Sequence, residues 1–235
     1  MKQSASFYRD ILYPFQDGIL NIVRQLNTPF YLTGGTALGR HYFHHRFSDD
    51  LVLFVNRQPD YSRHVAQILN ALEENQKRLN FSIDYRRLRK EEHYAQIFLT
   101  QLADAADLKL DLINDIAVHY GELEHSETMG RIDSWRNILS NKLAAVFRYE
   151  AKDFADIWII AKNKRIVWRE IIVEAKTKEA GVDPLALQEI LRSFPAEEVT
   201  AVKWNMHIDQ ENFVADLTTI ADDIFQGKEN SLFQA

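Results

Sequence analysis

Cysteine is absent from this 235-residue chain, and its absence excludes several kinds of site. Without thiols there is no disulfide framework, no thiolate zinc site and no cysteine nucleophile. A chain without disulfides fits a reducing compartment, so we expect a cytoplasmic protein. The first ten residues lack the apolar core of a secretory signal, and no apolar run approaches the ~20 residues that cross a bilayer. We accordingly expect no membrane partner.

Positive charge is also scarce. The sequence has 28 Lys and Arg residues against 34 Asp and Glu residues, for a formal net charge of -6. Proteins that bind nucleic acid over a broad surface are usually basic, so any contact with RNA is expected to be local. Hydrophobic residues make up 46% of the chain, which is enough for one large core or two small ones.

The two halves of the chain differ in hydrophobic pattern. Before about residue 130, short apolar or alternating runs predict strands between helices, whereas the remainder has helical periodicity. We therefore predict an α+β protein, in which residues 1–130 form a mixed sheet with flanking helices and residues 131–235 form a helical domain. The predicted strands are 30–32, 50–55, 81–88, 93–100 and 107–113. The predicted helices are 13–25, 36–43, 61–79, 132–147, 153–162, 167–178, 184–194 and 212–225.

A glycine pair ends the first predicted strand and precedes a helix. Gly34 and Gly35 have no Cβ, so a phosphate group can approach the backbone amides of such a turn closely. Thr36 and Ser48 would each add a hydroxyl, and Asp50 follows on an apolar strand, where a carboxylate can bind Mg2+. Alone, the glycine pair is equally typical of a tight turn, and Asp50 of a strand-entry or capping residue. Together they indicate a site for metal-assisted nucleotidyl transfer.

Two further positions bear on a metal site. The side chains of residues i and i+2 of a strand face the same side, so the side chain at position 52 should point in the same direction as that of Asp50. Asp111, on a later predicted strand with Lys109 on the same face, can approach from the side. Nucleotidyl transfer builds negative charge on phosphoryl oxygens, and carboxylate-bound metal ions neutralise that charge.

The order and spacing of these residues resemble those of the AbiEii-like nucleotidyltransferase toxins. This family comprises toxins of type IV toxin–antitoxin and phage abortive-infection systems, within the DNA polymerase beta-like nucleotidyltransferase superfamily. The resemblance covers about residues 28–162. The segments that carry it are 34–38 (GGTAL), 45–51 (HRFSDDL), 108–112 (LKLDL), 141–145 (NKLAA) and 148–156 (RYEAKDFAD).

The resemblance implies a nucleotidyltransferase fold that binds an NTP together with Mg2+ or Mn2+. Asp50 would bind the metal, and Asp111 resembles the third carboxylate of the family site. The residues that would hold the triphosphate are Gly34, Gly35, Thr36, Arg46 and Ser48.

By the same resemblance, Lys142 and Asp153 are the candidate catalytic residues of the helical half. Lys142 would meet the nucleotide, and Asp153 would be the acidic residue of the last motif. An exposed lysine on an amphipathic helix is the commoner explanation of Lys142, although apolar residues flank it closely. Asp153, with Arg148, Lys152 and Asp156 at helical spacing, is also compatible with surface ion pairs.

Position 52 departs from the family pattern, which has aspartate there, because this chain has Val52. Valine cannot coordinate a metal ion. Asp49, as the neighbour of Asp50, would point to the opposite face unless the strand twists at its start. Three outcomes are therefore open: a weaker one-metal enzyme, an inactive relative that binds nucleotide, or a protein with a changed task.

The leading functional hypothesis is an enzyme that transfers a nucleoside monophosphate from an NTP to an acceptor, expected to be RNA, such as a tRNA end, or a protein. As a toxin it would have a cognate antitoxin. One alternative is a catalytically degenerate nucleotide-binding or interaction module, which Val52 favours. Another is an antibiotic-type nucleotidyltransferase that modifies a small molecule, which the acidic charge balance favours.

Overall fold

The computed structural model describes residues 4–116 and 118–234. The chain divides into two compact units, Met1–His41 with Phe47–Asp133, and Tyr42–Arg46 with Ser134–Ala235. Within the described residues, the first unit contains the named strands and the second is built from helices and their connections. The short segment Tyr42–Arg46 belongs to the second unit although it interrupts the sequence of the first. Whether the units are independent domains stays a prediction.

Helices of the first unit follow their apolar periodicity. They are α1 (Ala5–Phe7), α2 (Tyr13–Gln25), α3 (Gly34–Ala37) and α4 (Tyr61–Leu79), with π-helical turns at Tyr8–Leu12 and Leu38–Tyr42. In α4 the buried residues Val65, Ile68, Leu69 and Leu72 recur at spacings of three and four, which gives the helix one apolar face.

The strands of the first unit form one mixed sheet. They are β1 (Tyr31–Leu32), β2 (Leu51–Asn56), β3 (Phe81–Ile83), β4 (Arg89–Lys90), β5 (Tyr94–Gln101), β6 (Ala106–Asp115), β7 (Glu124–Ser126) and β8 (Gly130–Ile132). Their spatial order is β3-β5-β6-β2-β1-β8-β7, and β4 pairs with β5. β2 runs parallel to β6, and β1 parallel to β8, while the other pairs are antiparallel. The predicted α+β class is confirmed.

The parallel register of β2 and β6 determines which side chains meet at the candidate site. Val52 of β2 lies opposite Asp111 of β6, and Gln96 of β5 lies opposite Asp111 on the other side. Buried residues alternate with half-buried ones along β2, so Leu51 and Leu53 face the core and Val52 faces the other side.

The second unit has its own aromatic core. Its helices are α5 (Trp135–Ala145), α6 (Ala151–Asn163), α7 (Trp168–Lys178), α8 (Pro184–Arg192) and α9 (Gln210–Gln226), with 3-10 turns at Val146–Arg148 and Ala196–Ala201. The ring of Phe213 in α9 lies 5.2 Å from that of Trp158, 5.7 Å from Phe194 and 5.6 Å from Trp204. Such packing joins α9 to α6 and to the chain between α8 and α9.

Several predicted boundaries are corrected by the structure. The first ladder pair of β2 is at Leu51, so Asp50 precedes the strand and does not lie within it. The predicted strand 81–88 ends at Ile83, because the next residues turn toward β4. The strands β7 and β8 are absent from the sequence prediction, because each is only three residues long and has no clear alternation.

Phe213→Ala tests the contribution of the aromatic core. Phe213 is 1% exposed, so its truncation leaves a cavity among three rings, and we expect the free energy of unfolding to fall by about 3–5 kcal/mol. Phe225→Ala, on the same helix but 52% exposed, is the matched control and should cost less than about 1 kcal/mol. Urea titration followed by tryptophan fluorescence measures both. Equal losses in the two variants would contradict this account of the core.

Candidate active site

The glycine turn leads directly from β1 into α3. Helix α3 begins at Gly34, earlier than the predicted start at Thr36. Gly34 has φ +68°, a left-handed conformation that favours glycine. A Cβ added to Gly34 would meet no atom within 4 Å, so the space above the turn is open. The turn therefore offers backbone amides with a clear approach, as a phosphate ligand requires.

Thr36 connects the glycine turn to the segment that carries Asp50. Its Oγ1 lies 2.9 Å from Ser48 Oγ and 2.5 Å from the backbone carbonyl oxygen of Asp50. Thr36 is buried, so its hydroxyl acts within the protein as a link between these two segments. The predicted nucleotide-binding residues Gly34, Thr36 and Ser48 are thereby brought together with Asp50.

A buried aspartate fixes the residue that precedes the glycine turn. Thr33 Oγ1 donates to Asp133 Oδ2 at 2.5 Å, and His119 Nε2 lies 2.8 Å from Asp133 Oδ1. Asp133 is fully buried, and its backbone N–H donates to the carbonyl of Leu32 in β1. This arrangement was not predicted, because the partners are distant in sequence and match no motif.

Lys109 joins the two candidate metal-binding carboxylates. Its Nζ lies 3.1 Å from Asp50 Oδ2 and 3.0 Å from Asp111 Oδ2. Burial alone would lower the pKa of Lys109, but Asp50 and Asp111 together outweigh it and hold the pKa above its ordinary value. The two predicted carboxylates therefore converge, and a protonated amine lies between them. The i, i+2 spacing of Lys109 and Asp111 indicates that they share one face of the strand, but it does not indicate the contact with Asp50.

The other oxygen of Asp111 is held by β5. Tyr94 Oη donates to Asp111 Oδ1 at 3.0 Å, and Gln96 Nε2 donates to the same oxygen at 2.9 Å. Burial and the hydrogen bond to Asp111 raise the pKa of Tyr94 to about 12, so its hydroxyl remains protonated and continues to donate at neutral pH. Sequence reasoning missed both residues, which depend on the antiparallel register of β5 and β6.

No carboxylate replaces the missing one at position 52 in the described part of the chain. The neighbouring Asp49 accepts a hydrogen bond from Tyr8 Oη at 2.7 Å, and the Tyr8 ring stacks on Phe47 with 4.2 Å between centroids. Among residues 4–116 and 118–234, no group of three or more His, Asp or Glu side chains could hold a metal ion. With Val52 in place of a carboxylate, Asp50 and Asp111 are the two candidate metal-binding carboxylates that remain in the described part of the site.

The donor chemistry of this pair fits one Mg2+ ion and does not fit two. Carboxylate oxygens are the ligands that Mg2+ prefers, and water molecules commonly complete its coordination. Both Asp50 and Asp111 direct Oδ2 at one cation position, which Lys109 Nζ fills. A divalent ion that uses these oxygens would therefore have to displace the lysine.

A second ionic cluster lies in the second unit, around Asp156 of α6. Lys142 Nζ lies 2.6 Å from Asp153 Oδ1 and 2.6 Å from Asp156 Oδ2. The guanidinium of Arg46 donates to both oxygens of Asp156, each at 2.7 Å, and His45 Nε2 lies 2.9 Å from Asp156 Oδ1. The cluster joins α5 to α6 and fixes the segment Tyr42–Arg46.

The charges of this cluster compensate for its burial. Burial alone would raise the pKa of Asp156, but Arg46 and Lys142, with the hydrogen bond from His45, hold the pKa well below its ordinary value. Burial lowers the pKa of His45 against the opposing pull of Asp156, so the imidazole is neutral at neutral pH. Asp156 is therefore a buried carboxylate that stays ionised because two cations and a donor surround it.

These contacts decide two alternatives that the sequence left open. Lys142 is 9% exposed, so the interpretation as an exposed surface lysine is wrong. Asp153 and Asp156 are fully buried, so surface ion pairs do not explain them, although the exposed Arg148 does reach Asp153 at 3.1 Å. Arg46 is buried with its guanidinium bound to Asp156. This contact gives Arg46 a structural role, and its assignment as a triphosphate ligand stays a prediction.

A cavity of about 650 Å³ in the described part of the first unit is not lined by Gly34, Ser48, Asp50 or Asp111. Its lining includes Arg57, His93 and Asn114, at the end of β2 opposite to the one that Asp50 precedes. We assign it no part in the candidate site.

Comparison with solved structures shows the class of fold. The crystal structure of JHP933 from Helicobacter pylori has a TM-score of 0.62 at 19% identity, covering 95% of this chain and 93% of that one. A second H. pylori structure, of a proposed nucleotidyltransferase, has a TM-score of 0.57 at 19% identity, covering 95% and 96% of the two chains. At this identity the likeness concerns the fold alone, and the fold is the predicted nucleotidyltransferase fold.

The family match is more specific. The nucleotidyl transferase AbiEii toxin family of type IV toxin–antitoxin systems matches residues 20–223. The chain therefore belongs to the AbiEii nucleotidyltransferase toxin family, and the resemblance drawn from the sequence is confirmed. Membership implies an NTP substrate, usually with a divalent metal, and an antitoxin partner. No curated protein matches the chain.

Among the described residues, no helix is both long enough and apolar enough to cross a bilayer.

Asp156→Asn tests the buried cluster of the second unit. The neutral amide leaves Arg46 and Lys142 without their full counter-charge, so we expect the free energy of unfolding to fall by about 3–5 kcal/mol at neutral pH. Because the folded-state pKa of Asp156 is lowered, the ionised form stabilises the protein above the ordinary value of 3.8, and this stabilisation is lost as the pH falls through the folded-state pKa. The difference between wild type and variant should therefore shrink in acid, as measured by urea titration.

Asp222→Asn provides the matched control for that measurement. Asp222 pairs with Arg192 at 2.5 Å on the surface of the second unit, where solvent screens the interaction. This variant should change stability little at any pH. A stability difference for Asp156→Asn that stays constant from neutral pH into acid would contradict the assignment of Asp156 as the ionised centre of the cluster.

Proposed function

We propose that this protein transfers a nucleoside monophosphate from an NTP to an acceptor nucleophile. The observation that carries the proposal is the contact between Thr36 and the Asp50 backbone, which joins an open glycine turn to a pair of converging carboxylates. Phosphate-binding amides and metal-binding oxygens are the two groups that nucleotidyl transfer requires.

The reaction forms a bond from the acceptor hydroxyl oxygen to the α-phosphorus and breaks the bond from the α-phosphorus to the oxygen that bridges to the β-phosphate. Pyrophosphate leaves with that bridging oxygen, and the hydroxyl proton passes to solvent. The amides of Gly34 and Gly35 would bind triphosphate oxygens, assisted by the Ser48 hydroxyl. A Mg2+ or Mn2+ ion held by Asp50 and Asp111 would supply positive charge against the developing negative charge. Tyr94 and Gln96 would keep Asp111 oriented through its Oδ1.

Lys142 and Asp153 are included in the proposal as candidate catalytic residues of the second unit. The family resemblance carries their assignment, and the lysine would steady the charge of the bound triphosphate. Their mutual contact at 2.6 Å also joins α5 to α6, so variants of either must first be shown to fold. Lys142→Arg keeps the positive charge, so this variant best separates an effect on transfer activity from an effect on folding.

RNA is the acceptor that we favour, because basic side chains flank the carboxylate pair. Arg89 of β4 lies opposite Gln96, which in turn lies opposite Asp111, so all three side chains share one face of the sheet. Arg87 lies over the Phe98 ring at 3.5 Å. This local basic strip suits a polyanionic acceptor such as a tRNA end, although the whole chain is acidic.

The family match supports a proposal about the cellular target and the protein partner. As a member of a type IV toxin family, the protein would act on a cytoplasmic target and be neutralised by a cognate antitoxin. We propose both, and co-purification of the toxin with the product of an adjacent gene would test the partner.

A transfer assay tests the proposed reaction. Purified protein is incubated with each α-labelled NTP, Mg2+ or Mn2+, and total RNA. We expect the wild type to label RNA and Asp50→Asn to lose on the order of a hundredfold in rate, because one metal ligand is removed. Asp104→Asn, in the exposed turn between β5 and β6, is the matched control and should retain full activity.

A degenerate nucleotide-binding module is the second candidate function, because an apolar Val52 faces Asp111. Labelling by Val52→Asp but not by the wild type would establish this alternative and reject the enzyme hypothesis. Label on a small molecule in place of RNA would instead support the antibiotic-type alternative.

A further inference from the structure

Lys109 occupies a specific place in the β2–β6 register. The ladder pairs Leu51 with Leu110 and Val52 with Asp111, so Lys109 stands beside Asp50 at the end of the same parallel pair. The Lys109 ammonium therefore lies 3.1 Å from Asp50, which immediately precedes β2, and 3.0 Å from Asp111 of β6.

The oxygens that Lys109 contacts are those that remain for a metal ion. Asp111 Oδ1 already accepts hydrogen bonds from Tyr94 and Gln96, and Asp111 Oδ2 is the atom that meets Lys109 Nζ. Asp50 likewise meets the lysine through Oδ2. Lys109 and a divalent ion bound between Asp50 and Asp111 would therefore use the same two Oδ2 atoms.

The charge balance points the same way. Asp50 and Asp111 carry two negative charges, and Lys109 neutralises one of them. A carboxylate at position 52 would add a third negative charge, but Val52 is uncharged. The site as built therefore keeps one net negative charge, where three carboxylates would keep two, so its attraction for a divalent ion is weaker.

We propose that Lys109 is the resident cation of the candidate site, which competes with divalent metal for Asp50 and Asp111. The wild-type protein then binds at most one divalent ion between these carboxylates, and binds it weakly. The inference rests on the proposed function for its catalytic meaning, since it assigns to a lysine the place of a metal ion in nucleotidyl transfer. The competition itself concerns only the affinity of Asp50 and Asp111 for a divalent metal ion.

Mn2+ binding to the full chain, measured by isothermal titration calorimetry and by the electron paramagnetic resonance of free Mn2+, tests the proposal. Lys109→Gln removes the competing charge, so we expect it to bind Mn2+ about tenfold more tightly than the wild type. Lys109→Arg keeps the charge and should bind Mn2+ as weakly as the wild type. Lys77→Gln, at an exposed position on α4, controls for the loss of a positive charge elsewhere and should leave the affinity unchanged.

A double variant locates the ion. Adding Asp50→Asn to Lys109→Gln should abolish the gain in affinity, because one of the two carboxylates is lost. Mn2+ affinity of folded Lys109→Gln within twofold of the wild type would overturn the proposal, as would two tight Mn2+ sites in the wild type. These results do not depend on transfer activity, so failure of the proposed reaction and failure of this inference are distinguishable.

Discussion

The parallel pairing of β2 with β6 is the constraint on which the candidate site depends. It brings Asp50, Val52, Lys109 and Asp111 onto one face, where the period of two along each strand keeps them together. A one-residue slip would turn each strand's set to the opposite face. The buried Leu51 and its neighbours on the core side prevent that slip, so hydrophobic packing on one face maintains the ionic geometry on the other.

The second unit depends on a different balance. A buried carboxylate is costly unless cations and donors surround it, and Asp156 has Arg46, Lys142 and His45 as partners. Two of these partners lie in Tyr42–Arg46, the segment that leaves the first unit. Charge pairing explains why that segment belongs with the helices, and the same pairing explains why Arg46 is committed to a structural contact.

Local patterns in the sequence predicted much of the architecture. Periodicity gave α4 with its observed bounds and most of the long strands, and motif order indicated Asp50 and Asp111. The bridge from Lys109 could not be predicted, because it depends on strand register. Arg46 and Asp156 are 110 positions apart, and charged residues are ordinarily assigned to the surface. The sequence pattern therefore did not indicate that these two residues are buried together.

The most direct measurement is a crystal structure with Mn2+ and a non-hydrolysable NTP analogue, with the metal located by anomalous scattering. The account predicts one Mn2+ peak bound by Asp50 and Asp111, with Lys109 moved from its place between them. It also predicts triphosphate oxygens at the amides of Gly34 and Gly35. Two Mn2+ ions at the carboxylates, or a nucleotide bound away from the glycine turn, would contradict it.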